Sequence, residues 1–149
     1  MNIPFPGRRK KRGLARGVAV FSSGGAQDGG DGAAVADLLA ECELLRSQAS
    51  LAGIRLDDSA ASLEALDQLL PRWRDDDEIL PWLGNDAGLY LGTVLVRTVP
   101  GAAWDIWPNG QPVVKLASGR EFDVVAAGHT WVASGVPELS QLYAEVSET

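Results

Sequence analysis

The chain has 149 residues, 46% hydrophobic and 22% charged, with five Trp, one Cys, one His and a net charge of −7. That is the length of one ordinary domain with enough apolar material for a core. No apolar run approaches the roughly 18–20 residues of a membrane-spanning helix. The lone Cys42 and lone His129 exclude a disulfide framework and a Cys/His metal site, which makes a reducing cytoplasm the expected address.

The net charge is an average over two unlike parts. Arg8, Arg9, Lys10, Lys11, Arg12 and Arg16 meet no acid before residue 17. Residues 1–32 therefore carry six bases against two acids, +4, and residues 33–149 seven bases against eighteen acids, −11. The first 32 residues also hold eight of the seventeen glycines and one short apolar patch, Val18 to Phe21, and read as a flexible basic Gly/Ser-rich arm. Four apolar residues are too few for a secretory signal, and Met1-Asn2 lacks the glycine of a myristoylation site.

A single domain is expected over 33–149. Val35, Leu38, Leu39, Cys42, Leu45, Ala49 and Ala52 follow helical spacing up to Gly53, predicting one amphipathic helix. Asp57-Asp58-Ser59 offers N-cap oxygens to a second helix carrying Leu63, Leu66, Leu69 and Leu70, ending at Pro71. Pro81 and Gly84 reduce the stretch from Ile79 to a single turn. A third helix then runs from Asn85-Asp86 to Thr98, with Gly88 and Gly92 four apart for a close backbone approach.

The period then shortens. Ala103 to Trp107, Val113 to Leu116 and Arg120 to Val124 predict a three-stranded antiparallel meander, turned at Asn109-Gly110 and Ser118-Gly119. Two-residue loops would align Trp104, Ile106, Val113, Lys115, Phe122 and Val124 on one face, leaving Lys115 to snorkel unless a register slips by one. Asp123 caps a segment to Ser134, Gly135 stops it, and Pro137 opens a last helix with Leu139, Leu142, Tyr143 and Val146. Helices before and after one meander define an α+β fold.

Few residues suggest chemistry. The run Arg8 to Arg12, with Arg16, would contact phosphates without sequence preference, giving salt-dependent nucleic-acid binding, or would lie against the acidic body. The glycines of 24–32 are not a phosphate loop, because Asp31 stands where its Lys belongs. Asp75-Asp76-Asp77-Glu78 lacks the alternation and glycine of a calcium loop. Hydrolysis would need His129 to meet Ser118, Ser134 or Cys42 and a carboxylate such as Asp123, and Cys42 lies in an apolar stripe suited to an inert thiol. No catalytic, cofactor or metal residue is assigned. Alternation sends Trp104 and Trp107 to opposite sides of their strand, so Trp107, beside Pro108 and Pro112, is the candidate anchor for a protein partner.

The motifs Met1-Asn2-Ile3-Pro4-Phe5, Asp57-Asp58-Ser59 followed by Leu63-Glu64-Ala65-Leu66-Asp67, Trp82-Leu83-Gly84-Asn85-Asp86-Ala87-Gly88-Leu89-Tyr90-Leu91-Gly92, and Gly135-Val136-Pro137 resemble those of short actinobacterial, streptomycete-type proteins grouped as a domain of unknown function. The resemblance implies a bacterial cytoplasmic setting and no particular activity. Thr93 stands where broader related domains often place an acid after the second glycine. The expectation is a non-enzymatic protein working through protein contacts, with nucleic-acid binding by the arm as the alternative and a hydrolase built on His129 behind both.

Overall fold

A computed structural model of the chain describes residues 29–148. The basic run Arg8 to Arg12 and Arg16 lie outside the described residues. The elements, in order, are α1 (Gly29–Leu39), α2 (Glu43–Leu51), α3 (Ala60–Trp73), α4 (Leu80–Thr98), β1 (Ala103–Ile106), β2 (Pro112–Lys115), β3 (Glu121–Phe122), α5 (Val124–Ser134) and α6 (Leu139–Ser147). The fold is α+β, with helices before and after one antiparallel sheet of order β1-β2-β3 in the chain.

α4 is the axis of the molecule. It packs against every other helix and against β1 and β2, burying Leu83, Ala87, Tyr90, Leu91, Val94 and Leu95. It starts five residues earlier than the sequence suggests. Pro81 sits in its first turn, where a missing N–H costs nothing. Gly84 is kept for contact rather than for a break. A side chain there would strike His129 and Val132 of α5, one at Gly88 the Val124 carbonyl, and one at Gly128 the backbone of Gly84 and Gly88. The two helices run antiparallel with backbone against backbone, the close approach expected of Gly88. Gly92 instead accepts the Trp104 ring.

The helix expected over 33–53 is two helices, and the first starts at Gly29 rather than near Ala33. Cys42, with φ 41°, turns the chain between them. The break is held from both sides. Arg46 donates from Nη2 to the Ala40 carbonyl at 2.9 Å and from Nε to that of Glu41 at 3.0 Å, satisfying the end of α1. The Asp86 carboxylate accepts from the Leu45 N–H at 3.1 Å, capping α2 from another helix. Ser59 caps α3 as expected, its hydroxyl accepting from Ser62 N at 3.2 Å. α3 then continues through Pro71 to bury Trp73, since a proline in the last turn forfeits a single backbone bond.

Both hairpin loops have three residues, not two. Trp107 pairs with Gln111 and Leu116 with Arg120, while Gly110 (φ 89°) and Gly119 (φ 94°) supply the left-handed third position. The register therefore slips by one. Trp104, Val114 and Phe122 align across the sheet, and Lys115 pairs with Glu121 on the other, exposed side. The strained placement of Lys115 disappears. Asp123 caps α5, accepting from Ala126 N at 3.1 Å, and Gly135 (φ 80°) ends it. α6 begins at Leu139, two residues beyond Pro137, because its cap comes from afar: Asp67 accepts from Leu139 N at 2.8 Å and from Ser140 N at 3.1 Å.

Candidate functional site

The meander turn carries the tryptophan singled out from sequence. Trp104 lies against the core and Trp107 on the opposite side of β1, as alternation requires. Trp107 is only half-exposed, however, and its indole N–H donates to Glu121 Oε1 at 3.1 Å. Pro108 is exposed and Pro112 half-buried at the start of β2. Gln111 Nε2 donates to Asp123 at 2.8 Å, tying this turn to the cap of α5. The turn is a braced corner.

The groups proposed for hydrolysis are not brought together. His129 is exposed on α5, and its ring has no hydrogen-bond partner among the described residues. Ser134 donates instead to the Thr130 and Val136 carbonyls, and Asp123 serves Ala126 and Gln111. Cys42 is buried, its thiol 3.5 Å from the Leu39 carbonyl; burial, with Asp86 nearby, pushes its pKa up to about 12. Such a thiol is a poor nucleophile at neutral pH. Asp75 to Glu78 is solvated, and Asp76 Oδ1 accepts from Glu78 N at 3.2 Å, shaping the approach to α4. No acidic or Cys/His cluster among the described residues could hold a metal ion, and no described helix is long and apolar enough to cross a membrane.

A polar network lies between α2, α3 and α4. Asp58, in the left-handed region at φ 64°, takes Arg46 Nη2 at 2.8 Å and Arg97 Nη1 at 2.6 Å, while its N–H donates to the Tyr90 hydroxyl at 2.8 Å. That hydroxyl also shares a 2.6 Å bond with the buried Ser62. Burial raises the Tyr90 pKa and keeps the phenol neutral. The Arg46 guanidinium lies 5.1 Å from the Tyr90 ring centre and donates to the Leu56 carbonyl at 3.1 Å. A cleft of about 510 Å³ opens beside it, lined by Arg46, Ser50, Gly53, Ile54, Arg55 and Leu56. Every nitrogen of Arg46 already has a partner, so this wall supports the fold rather than offering donors to a ligand.

The most exposed tryptophan is one the sequence reading passed over. Trp82 is 69% exposed on the first turn of α4. A helix starting at Leu80 places it one turn before Asp86, turned away from the face that buries Ala87 and Leu91. Reading 79–84 as a lone turn erased that wheel, so the signal was present but unused. Exposed Leu38, at the end of α1, and exposed Asp37, Glu41, Glu43, Asp77 and Glu78 belong to the adjoining segments.

The architecture is that of an α+β domain without an assembled catalytic constellation among its described residues. The chain belongs to the family of unknown function DUF6278, which it matches over residues 1–149. No curated protein and no solved structure matches it.

Proposed function

We propose that this is a non-enzymatic protein that works through contact with another protein, in the cytoplasm of an actinobacterium, and that the start of α4 is its contact surface. The observation that carries the reading is Trp82, 69% exposed at the head of the helix that organises the whole core. A large indole held on a buried helix is a rigid, amphipathic anchor of the kind that dominates interface energies. Exposed Asp77 and Glu78, which precede Trp82 in the chain, and Glu43, which lies near Asp86 one turn further along α4, select a partner presenting basic residues around an apolar one. The Trp107-Pro108-Pro112 corner is a weaker second surface, because its indole N–H is already engaged by Glu121.

The test compares proteins co-purifying with the full chain, with Trp82→Ala and with Trp107→Ala. Each variant's fold is checked by circular dichroism. Loss of partners in Trp82→Ala alone supports this reading, and identical lists for all three proteins overturn it. The Arg8–Arg12 run supports a second reading, an electrostatic arm on nucleic acid. It requires retention on DNA or RNA that weakens steeply with salt and vanishes when all five cations are replaced by Gln.

A further inference from the structure

The surface around Trp82 combines exposed apolar groups with an excess of acids. Trp82 and Leu38 are 69% and 49% exposed. Helix geometry puts Trp82 on the Asp86 side of α4, where the Asp86–Leu45 bond fastens the start of α2, and α1 packs against α4 as well. Leu38 precedes that junction by only a few residues. From Asp37 to Glu43 the chain offers Asp37, Glu41 and Glu43 with no base, and Asp77 and Glu78 lead into α4. Arg46, the cation nearest to Glu43 in sequence, is turned inward onto Ala40, Glu41, Leu56 and Asp58. Arg74, three residues before Asp77, lies against Gly135, and the five acids of the rim outnumber it.

The complement is in the same chain. Phe5, five consecutive cations from Arg8 to Arg12, and Leu14 present the opposite charge between apolar flanks. This segment is tethered to α1 itself. The 16 residues from 13 to 28 can span up to roughly 50 Å, against about 16 Å for the length of α1. A tether of that reach gives an effective concentration on the order of millimolar, enough to hold a contact too weak to form between separate molecules. Arginines set on an indole face add cation–π attraction to the pairing of charges.

We propose that the chain's own Arg8–Arg12 segment occupies the acid-rimmed surface around Trp82 and Leu38, so that a protein partner must displace it. The inference rests on the reading of that surface as the contact surface. It makes the N-terminal segment an internal competitor, and a partner's apparent affinity falls by the fraction of molecules in which the surface is covered.

Lys10, Lys11 and Lys115 are the lysines of the chain, so a carbodiimide that joins amines to carboxylates reports where the segment lies. The experiment uses the full-length protein at low salt, as an equal mixture of ordinary and 15N-labelled copies. The expected result is links within one copy from Lys10 and Lys11 to Asp37, Glu41, Glu43, Asp77 or Glu78. These links fall several-fold at about 0.5 M salt, where screening shortens to a few ångströms, and at least twofold in Trp82→Ala. Links scattered over Glu64, Glu138 and Glu145, links between labelled and unlabelled copies, or no links from Lys10 and Lys11 overturn the proposal. If the links scatter while Trp82→Ala still loses its partners, masking fails and the contact surface stands. Focused links with unchanged partner lists remove the protein-contact reading instead.

Discussion

Asp67 and Asp86 lend their carboxylates to helices other than their own. Asp67, on α3, accepts from Trp131 Nε1 at 2.9 Å, from Leu139 N at 2.8 Å, and from the amide and hydroxyl of Ser140 at 3.1 and 2.6 Å. Asp86, on α4, holds Leu45 N, and burial raises its pKa above the ordinary carboxylate value of 3.8. A raised folded-state pKa means that the folded protein holds the proton more tightly. Stability from this group is thus fully present below the unfolded pKa and lost as pH rises through the folded one. Asp86→Asn keeps an acceptor oxygen without a charge to desolvate. Urea titrations from about pH 4 to pH 7 are expected to show the native protein losing stability relative to Asp86→Asn as pH increases. Parallel curves would contradict a buried, ionising Asp86.

At the scale of elements, the α1–α2 break depends on Arg46, which ends one helix and ties α2 to α3 and α4 through Asp58 and Tyr90. Its five donors work as a fork, a geometry that an ammonium group cannot copy. Arg46→Ala is expected to cost about 3 kcal/mol, and Arg46→Lys nearly as much, in chemical denaturation. A Lys variant of native stability would show that charge alone suffices.

The same elements explain what the sequence discloses. Caps formed within four residues, Ser59 on α3 and Asp123 on α5, were readable, as were the leucine stripe of α3 and the order of strands. Arg46 and Asp86 were not, because Asp86 lies 41 residues from the amide it caps and no local pattern marks the pair. Gly84 misled for the opposite reason. A glycine that punctuates an isolated helix here makes room for the His129 and Val132 side chains of the facing helix. A helix that begins only at Asn85 leaves Trp82 without a helical face, and Trp107 is then the tryptophan that alternation exposes. The positions of the hairpins are legible in the sequence and their loop lengths are not, since a left-handed glycine serves a three-residue loop as well as a two-residue one.

Across the whole molecule, residues 33–149 carry a net −11 and repel themselves unless something neutralises them. If the N-terminal cations lie on the domain, they already relieve part of this repulsion. A full-length variant with Arg8, Arg9, Lys10, Lys11 and Arg12 all changed to Gln should then gain more from added salt than the native chain. The expected excess rise in Tm is roughly 3 °C between low salt and about 0.3 M, equivalent to about 1 kcal/mol. Equal salt responses in calorimetry would show that the cations do not neutralise the domain.

The glycine seam between α4 and α5 has a bearing on recognition. With the backbone of Gly84 and Gly88 directly against that of Gly128 and Val124, and the His129 and Val132 side chains filling the space at Gly84, one helix has little room to slide on the other. The head of α4 is thereby fixed in direction, and Trp82 projects from a base that is already set before any encounter. Binding there would spend little free energy on ordering the receptor. A small surface, too limited to pay for induced fit, can then still hold a partner.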